Sequence, residues 1–351
     1  MKGFAFLEQG KAGWVEKDKP TAGPLDVIVR PTALAICSSD THTVHAGVAK
    51  PNTILGHESV GVVEEVGSLV KNFKPGDAVV VPCCTPDWEA TALQERGANN
   101  AHDHGLMASF KFMFHGDGVF GEYFTVNNAD ANLVHQPENV SIEDALMTVD
   151  MMSTGFHAAD NADIAYGDTV VVFGIGPVGL MSIAGAQLKG AGRIFAIGTR
   201  PNCAELAKKY GATDIISYKN GDTVEQILSA NGGQVDRAII TVPDVSCMNQ
   251  ALKLVRPNGT VSNIAFMDPS DSYEVPTTLW GLGMSDVTIK CGFCPGGAYR
   301  IQQLLKLIEC DRVHPGEMLN YKFEGFDKIA DAYDVMDKKP RDLIKPIVYI
   351  R

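Results

Sequence analysis

Hydrophobic and polar positions divide the chain into stretches of two kinds. Over residues 1–150 the apolar positions gather in short β-rich runs, Val27-Ile-Val-Arg-Pro31, Val60–Val66 and Ala78-Val-Val-Val-Pro82. Turn sequences such as Lys74-Pro-Gly-Asp77 separate them, which predicts a compact, barrel-like sheet with short helical pieces. Residues 86–118 are polar, histidine-bearing and irregular, and predict a long excursion. From Ser141 the period becomes helical, with Ile142, Ala145, Leu146 and Val149 on one face and Ser141 as an N-cap toward Asp144.

Between about 155 and 295 the pattern changes to alternation. Val170–Phe173, Arg193–Ile197, Asp214–Tyr218, Arg237–Thr241, Gly259–Ile264 and Thr288–Cys291 are strand-length runs with helical stretches between them. That order predicts an α/β fold: a doubly wound parallel sheet with helices on both faces. After Cys294-Pro-Gly-Gly297 the chain reads as helix from Ile301 to Ile308, and Lys345–Ile350 as a strand returning to the first part. The expected organisation is a mainly β catalytic domain over 1–153, a cofactor domain over 154–295, and a return to the first domain over 296–351.

The most specific local signal follows the run Thr169–Phe173. It is the turn Gly174-Ile175-Gly176-Pro177-Val178-Gly179, leading into the small-residue helix Ser182–Gln187. Strand, glycine turn and helix in that order form the Rossmann fingerprint for a dinucleotide pyrophosphate, with the helix N-terminus facing the anion. An NAD-binding chain places Asp or Glu about 20 residues further on, against the ribose 2′-hydroxyl. Here the second strand ends Ile197-Gly198-Thr199-Arg200. No carboxylate opposes a 2′-phosphate there, Thr199 offers a hydroxyl and Arg200 a planar cationic donor, so NADP is the expected cofactor. Tyr218 is placed to close the other side. Thr199 as a helix cap and Arg200 as a solvent charge would fit the same residues.

Composition narrows the partners. The 351 residues suffice for two domains. A net charge of −12 leaves no basic stripe for nucleic acid, and no apolar run reaches the roughly 20 residues needed to span a bilayer. Met1-Lys-Gly-Phe-Ala-Phe6 is too short and interrupted for a signal peptide. Eight scattered cysteines suggest reduced thiols and a cytoplasmic protein.

Candidate chemistry in the first domain lies in Cys37-Ser38-Ser39-Asp40-Thr41-His42, Gly56-His57-Glu58 and Asp150. Thiolate, imidazole and carboxylate are zinc ligands, and three of them with an open fourth position suit catalysis. Their separations carry no spacing code, so Cys37 fits equally as a small buried hydrophobe and His57 as a core histidine. A zinc and a nicotinamide do form a coherent pair, the metal polarising an alcohol oxygen while hydride passes to the ring. Ser39 and His42 would then carry the proton away; otherwise they are a turn residue and a surface imidazole. Cys291-Gly-Phe-Cys294 has CxxC spacing and reads as two buried thiols.

Taken together, Cys37-x-Ser39-Asp-x-His42, Gly56-His-Glu-x-x-Gly61, Lys74-Pro-Gly-Asp77 and Gly174-x-Gly-x-x-Gly179 resemble the zinc-containing medium-chain dehydrogenase/reductases over the whole chain. Thr148–His157 and Lys339–Lys345 are similar to the microbial NADP-dependent secondary-alcohol dehydrogenases. The resemblance implies a GroES-like catalytic domain, and Cys37, His57 and Asp150 as ligands of one catalytic zinc, with Glu58 able to approach it. It also implies a Ser39–His42 relay, a homotetramer, and a small alcohol or ketone substrate. Polyol or amino-alcohol dehydrogenation, or non-catalytic NADPH binding on this scaffold, are the alternatives. Thr85, Phe110, Thr154, Phe266 and Cys294 are implied near the substrate, and Arg341 near the cofactor. Phe110 and Phe266 replace a tryptophan and a tyrosine of the close relatives. The structural zinc of the long-chain relatives is not expected, because the corresponding lobe holds only Cys83 and Cys84; His102, His104 and His115 nearby are not expected to complete it.

Overall fold

The structure is a computed structural model that describes residues 1–96, 102–268 and 272–350; part of the excursion expected over 86–118, residues 97–101, lies outside them. The chain divides into two compact units, Met1–Ser153 with Cys294–Arg351, and Thr154–Phe293. The sequence reading placed the return at 296; the first unit also takes in Cys294 and Pro295.

The first unit is built on a sheet of seven strands. Its central strand, Val27–Ala35, pairs with Ser59–Val66, Phe124–Val126 and the returning strand Lys345–Tyr349. Lys345–Tyr349 also carries a parallel strand, Leu319–Glu324, that the hydrophobic pattern did not reveal. A smaller sheet joins Lys2–Glu8, Lys11–Glu16 and Thr53–Ile54. That N-terminal hairpin was missed too, although Gly10 supplies the positive φ of its turn. Phe4, Leu34, Phe120 and Phe124 are buried between these layers, each stabilising by about 1.5–3 kcal/mol through removal from water.

The second unit is a six-stranded parallel sheet in the spatial order Asp214–Ile216, Arg193–Ile197, Thr169–Phe173, Val235–Ile240, Val255–Asn263, Thr288–Cys291. This is the doubly wound order, with the chain reversing direction of growth beside Thr169–Phe173. That strand reads Thr-Val-Val-Val-Phe without alternation because a central parallel strand is covered on both faces. Asp214–Ile216 stops short of the expected Tyr218, which instead begins a single 3₁₀ turn. No helix among the described residues is long and apolar enough to cross a membrane.

Candidate active site

Local chain geometry brings the metal-type side chains of the first unit together. Strand Val27–Ala35 runs into Cys37, which caps helix Ser38–Ala46. At the third helical position Asp40 turns back, its Oδ2 accepting from the Cys37 backbone N–H at 2.7 Å. Gly56 adopts φ +88°, and a Cβ there would lie 2.1 Å from the Phe120 ring. Only glycine passes that ring, and His57 and Glu58 follow it directly into strand Ser59–Val66. Asp150 comes from helix Ile142–Met147, whose Ser141 cap accepts from the Asp144 N–H at 3.1 Å as expected. The helix continues as one π-helical segment, Thr148–Met152. Such widened turns recur at functional sites because they re-aim a side chain.

The result is a cluster in which ligand atoms of Cys37, His57, Glu58 and Asp150 all lie within 4.8 Å of one another. His57 Nδ1 is 3.1 Å from the buried Asp40 Oδ1, which fixes the tautomer with Nδ1 as donor. The Nε2 lone pair then faces Asp150 Oδ2 at 3.5 Å and Glu58 Oε1 at 3.7 Å. A lone pair held against two carboxylate oxygens in a buried site is repulsive unless a proton or cation lies between them. Glu58 Oε2 is buried without a hydrogen-bond partner, a second sign of an uncompensated acceptor. The donor set therefore fits a zinc ion, which takes sulfur, nitrogen and carboxylate oxygen together.

The electrostatics agree. Burial opposes the charged form of His57, yet Asp40, with Asp150 and Cys37 accepting hydrogen bonds from the ring, pulls its pKa well above the ordinary value. Burial lifts Glu58 to about 7, Asp150 adding to the rise while Lys345 and His57 oppose it. Lys345 is itself wholly buried, its Nζ donating to Glu58 Oε1 at 2.7 Å and to the Ile36 carbonyl at 3.3 Å. Asp40 and Lys345 are the two residues here that sequence reasoning left without a role. Asp40 had a local signal, its place three residues after a cap; Lys345 had none, since its partner lies 287 residues away.

Of the two residues expected to form a relay, Ser39 and His42, Ser39 touches the metal-type cluster. Ser39 Oγ is 3.4 Å from His57 Nε2. His42 lies one turn along the same helix and is exposed, and its imidazole makes no hydrogen bond to the described residues. Desolvation by the surrounding chain, then Lys339 and His45, hold the His42 pKa below its ordinary value.

Of the residues implied near the substrate, Phe110 presents its ring edge-on to His57 at 5.1 Å between centroids. Thr85 is buried, its N–H bonded to the Ser109 carbonyl at 2.8 Å, next to Phe110. Cys294 is buried against Asp150, its sulfur 4.0 Å from that backbone oxygen. Thr154, buried, and Phe266, exposed, belong to the second unit. The reading of Cys291 and Cys294 as two buried thiols is corrected: Cys291 is exposed on an edge strand. Cys83 and Cys84 meet Cys294, at 3.3 Å between the sulfurs of Cys83 and Cys294, whereas His104 faces Asp87.

In the second unit, Gly174–Gly179 lies between strand Thr169–Phe173 and helix Pro177–Leu188. A Cβ on Gly179 would stand 2.1 Å from the Gly174 oxygen, so helix and strand pack at glycine distance. Above Gly176 the space is open, and the nearest atom to a Cβ there is Arg200 Nη2 at 3.8 Å. Arg200 thus reaches toward the glycine loop, and Thr199 Oγ1 lies 2.9 Å from the Tyr218 hydroxyl. Gly198 does more than lack a carboxylate: a Cβ there would lie 2.1 Å from the Ile175 side chain. Arg341 is exposed in the first unit, in the turn before strand Lys345–Tyr349.

Residues 177–309 match the family described as zinc-binding dehydrogenases, and residues 23–138 the alcohol dehydrogenase GroES-like domain. The chain is 52% identical to the NADP-dependent isopropanol dehydrogenase of Thermoanaerobacter brockii over 353 aligned positions, covering 100% of both chains. It is 50% identical to that of Clostridium beijerinckii with the same coverage. Among solved structures it resembles an alcohol dehydrogenase from Thermus sp. ATN1, with a TM-score of 0.85, 29% identity and 100% of each chain covered.

Proposed function

The chain belongs to the zinc-binding dehydrogenases that carry a GroES-like domain, and from that premise we propose how its own residues work. It is an NADP-linked, zinc-dependent alcohol dehydrogenase acting between small secondary alcohols and ketones. The observation that carries the site assignment is the His57 Nε2 lone pair facing two carboxylates inside a cysteine-bearing cluster. Cys37, His57 and Asp150 would hold one catalytic zinc, with Glu58 as a fourth acceptor beside it.

Bound there, zinc supplies a Lewis acid for the substrate oxygen, and the nicotinamide gives or takes the hydride. The protein's part is positioning and proton handling. Asp40 holds the His57 ring with Nε2 inward, the outer hydrogen bond that zinc-type histidines use. Lys345 offsets the charge of Glu58, so that three acidic side chains and a cysteine fit one buried pocket. Phe110 covers the His57 ring and keeps water from that flank. Ser39 accepts the alcohol proton and passes it to His42, whose depressed pKa keeps it an unprotonated acceptor at neutral pH.

For NADP, Arg200 and Thr199 bind the 2′-phosphate, with Tyr218 holding the Thr199 hydroxyl in place. Gly176 and the N-terminus of helix Pro177–Leu188 would hold the pyrophosphate, since little stands over that glycine. The enzyme works as a cytoplasmic homotetramer; the exposed Trp280, Leu282 and Met284 preceding the edge strand Thr288–Cys291 support burial against another subunit.

The test is metal analysis of the purified protein combined with reduction of acetone and butanone by NADPH and by NADH. One zinc per subunit and turnover with NADPH are expected. Two zincs per subunit, or no ketone turnover with the metal in place, would contradict the assignment.

A further inference from the structure

Three cysteines outside the proposed metal ligands converge behind Asp150. Cys83 and Cys84 follow strand Ala78–Val81, and Cys294 stands where the chain re-enters the first unit. All three are buried. The sulfurs of Cys83 and Cys294 are 3.3 Å apart, those of Cys83 and Cys84 3.9 Å. Neither Cys83 nor Cys294 has a role in the chemistry proposed above, yet both grip the segment that carries Asp150. The Cys83 N–H donates to the Val149 oxygen at 3.2 Å, and the Cys294 sulfur lies 4.0 Å from the Asp150 oxygen.

We propose that Cys83 and Cys294 form a modification site, an oxidisable dithiol whose disulfide loosens Asp150. The 3.3 Å sulfur contact marks the pair, and Cys84, which also meets Cys294, is separated from it by its own variant. Adjacent residues have Cα atoms about 3.8 Å apart, below the roughly 4.4 Å that disulfides require, so Cys83 and Cys84 do not bridge. Cys83 and Cys294 sit on separate segments in direct contact, and their sulfurs need to close from 3.3 Å to about 2.05 Å. Charge selects the product. A monovalent soft cation held by these two sulfurs as thiolates would leave a net negative charge beside Asp150 and Glu58, which a buried site disfavours. A disulfide is neutral.

The oxidant is a hydroperoxide. One sulfur gives up its proton and attacks a peroxide oxygen, forming a sulfenic acid and releasing the alcohol, or water from hydrogen peroxide. The second thiol then attacks the sulfenyl sulfur; the S–S bond forms, and the hydroxyl leaves as water with the thiol proton. Two thiols lose two electrons in all, and the peroxide O–O bond is reduced. Burial of both sulfurs makes the reaction slow, so exposure is measured over hours.

Closing the bond draws both sulfurs off their present contacts and shifts the π-helical segment Thr148–Met152. The effect on metal rests on the zinc reading above; the disulfide itself does not. The experiment treats the zinc-loaded enzyme with hydrogen peroxide, alkylates after unfolding, and maps peptides without reduction. In parallel, zinc transfer to a chromogenic chelator is timed. A linked Cys83–Cys294 peptide, zinc release faster by at least ~10-fold, and reversal of both by dithiothreitol are expected. Cys83→Ala should form no link and keep the slow release under peroxide, while Cys84→Ala behaves as the parent. The proposal is overturned if oxidation is confined to Cys37 or to the exposed Cys291 and Cys310. A link that forms with zinc release unchanged overturns the coupling to Asp150.

Discussion

Replacing Lys345 by Met tests how the pocket tolerates its acidic groups. The two side chains of the pair are 1% and 0% exposed, and their charged atoms stand 2.7 Å apart. Methionine keeps most of the aliphatic stem, so the loss is electrostatic and not a cavity. Breaking one side of a buried ion pair costs about 3–5 kcal/mol, because the remaining charge is buried alone. Glu58 has an escape, since burial already lifts its pKa to about 7 and loss of the lysine lifts it further. A protonated Glu58 lowers the bill to the low end, about 3 kcal/mol, or roughly a hundredfold in the unfolding equilibrium. Guanidinium unfolding at pH 7, followed by the fluorescence of Trp14 and Trp88 in the same unit, reads this as a lower midpoint. Adding Glu58→Gln to Lys345→Met should restore part of the loss, because no charge is then left unpaired. A Lys345→Met midpoint equal to the parent's, or a double variant weaker by the sum of the two singles, would refute the reasoning.

Further outcomes follow from the same geometry. Ser39→Ala should keep its zinc and cofactor yet lose about 100- to 10,000-fold in kcat, the usual worth of a proton-transfer group; a normal kcat would leave Ser39 a turn residue. Arg200→Ala should raise KM for NADP at least ~10-fold with little effect on NAD, each charge-assisted bond being worth about 1.5–3 kcal/mol. Gly198→Asp should impair both cofactors, since its Cβ meets Ile175; a clean switch to NAD would show that Ile175 yields. Zinc affinity should strengthen as pH rises through neutrality. Both His57 and Glu58 have pKa values raised above their ordinary ones, so at lower pH the metal-free site holds protons that zinc must expel. Competition with a chelator at several pH values measures this, and a flat profile would contradict it.

What the sequence disclosed tracks how local each feature is. The turn Gly174–Gly179 was legible because strand, glycines and helix are contiguous, and Gly179 answers to Gly174, its neighbour in the same turn. The doubly wound parallel sheet followed from the alternation of strand-length and helical runs, whereas the spatial order of its six strands is read from the structure. Cys37 and His57 were legible as residue types, but nothing in their spacing tied them to Asp150. The π-helical turn that aims Asp150 leaves no periodic trace in five residues, and only the resemblance pointed there. Lys345 was invisible for a different reason, because a lysine in a terminal strand ordinarily faces water. The clash between Gly198 and Ile175 likewise exists only in three dimensions.

NADP-linked turnover is proposed to run through the metal cluster of Cys37, His57 and Asp150. Its most direct test is acetone reduction followed by NADPH absorbance on one sample before chelation, after zinc removal, and after zinc return. Turnover is expected to vanish with the metal and to return with one equivalent of zinc per subunit. Turnover that survives complete removal of the metal would contradict it.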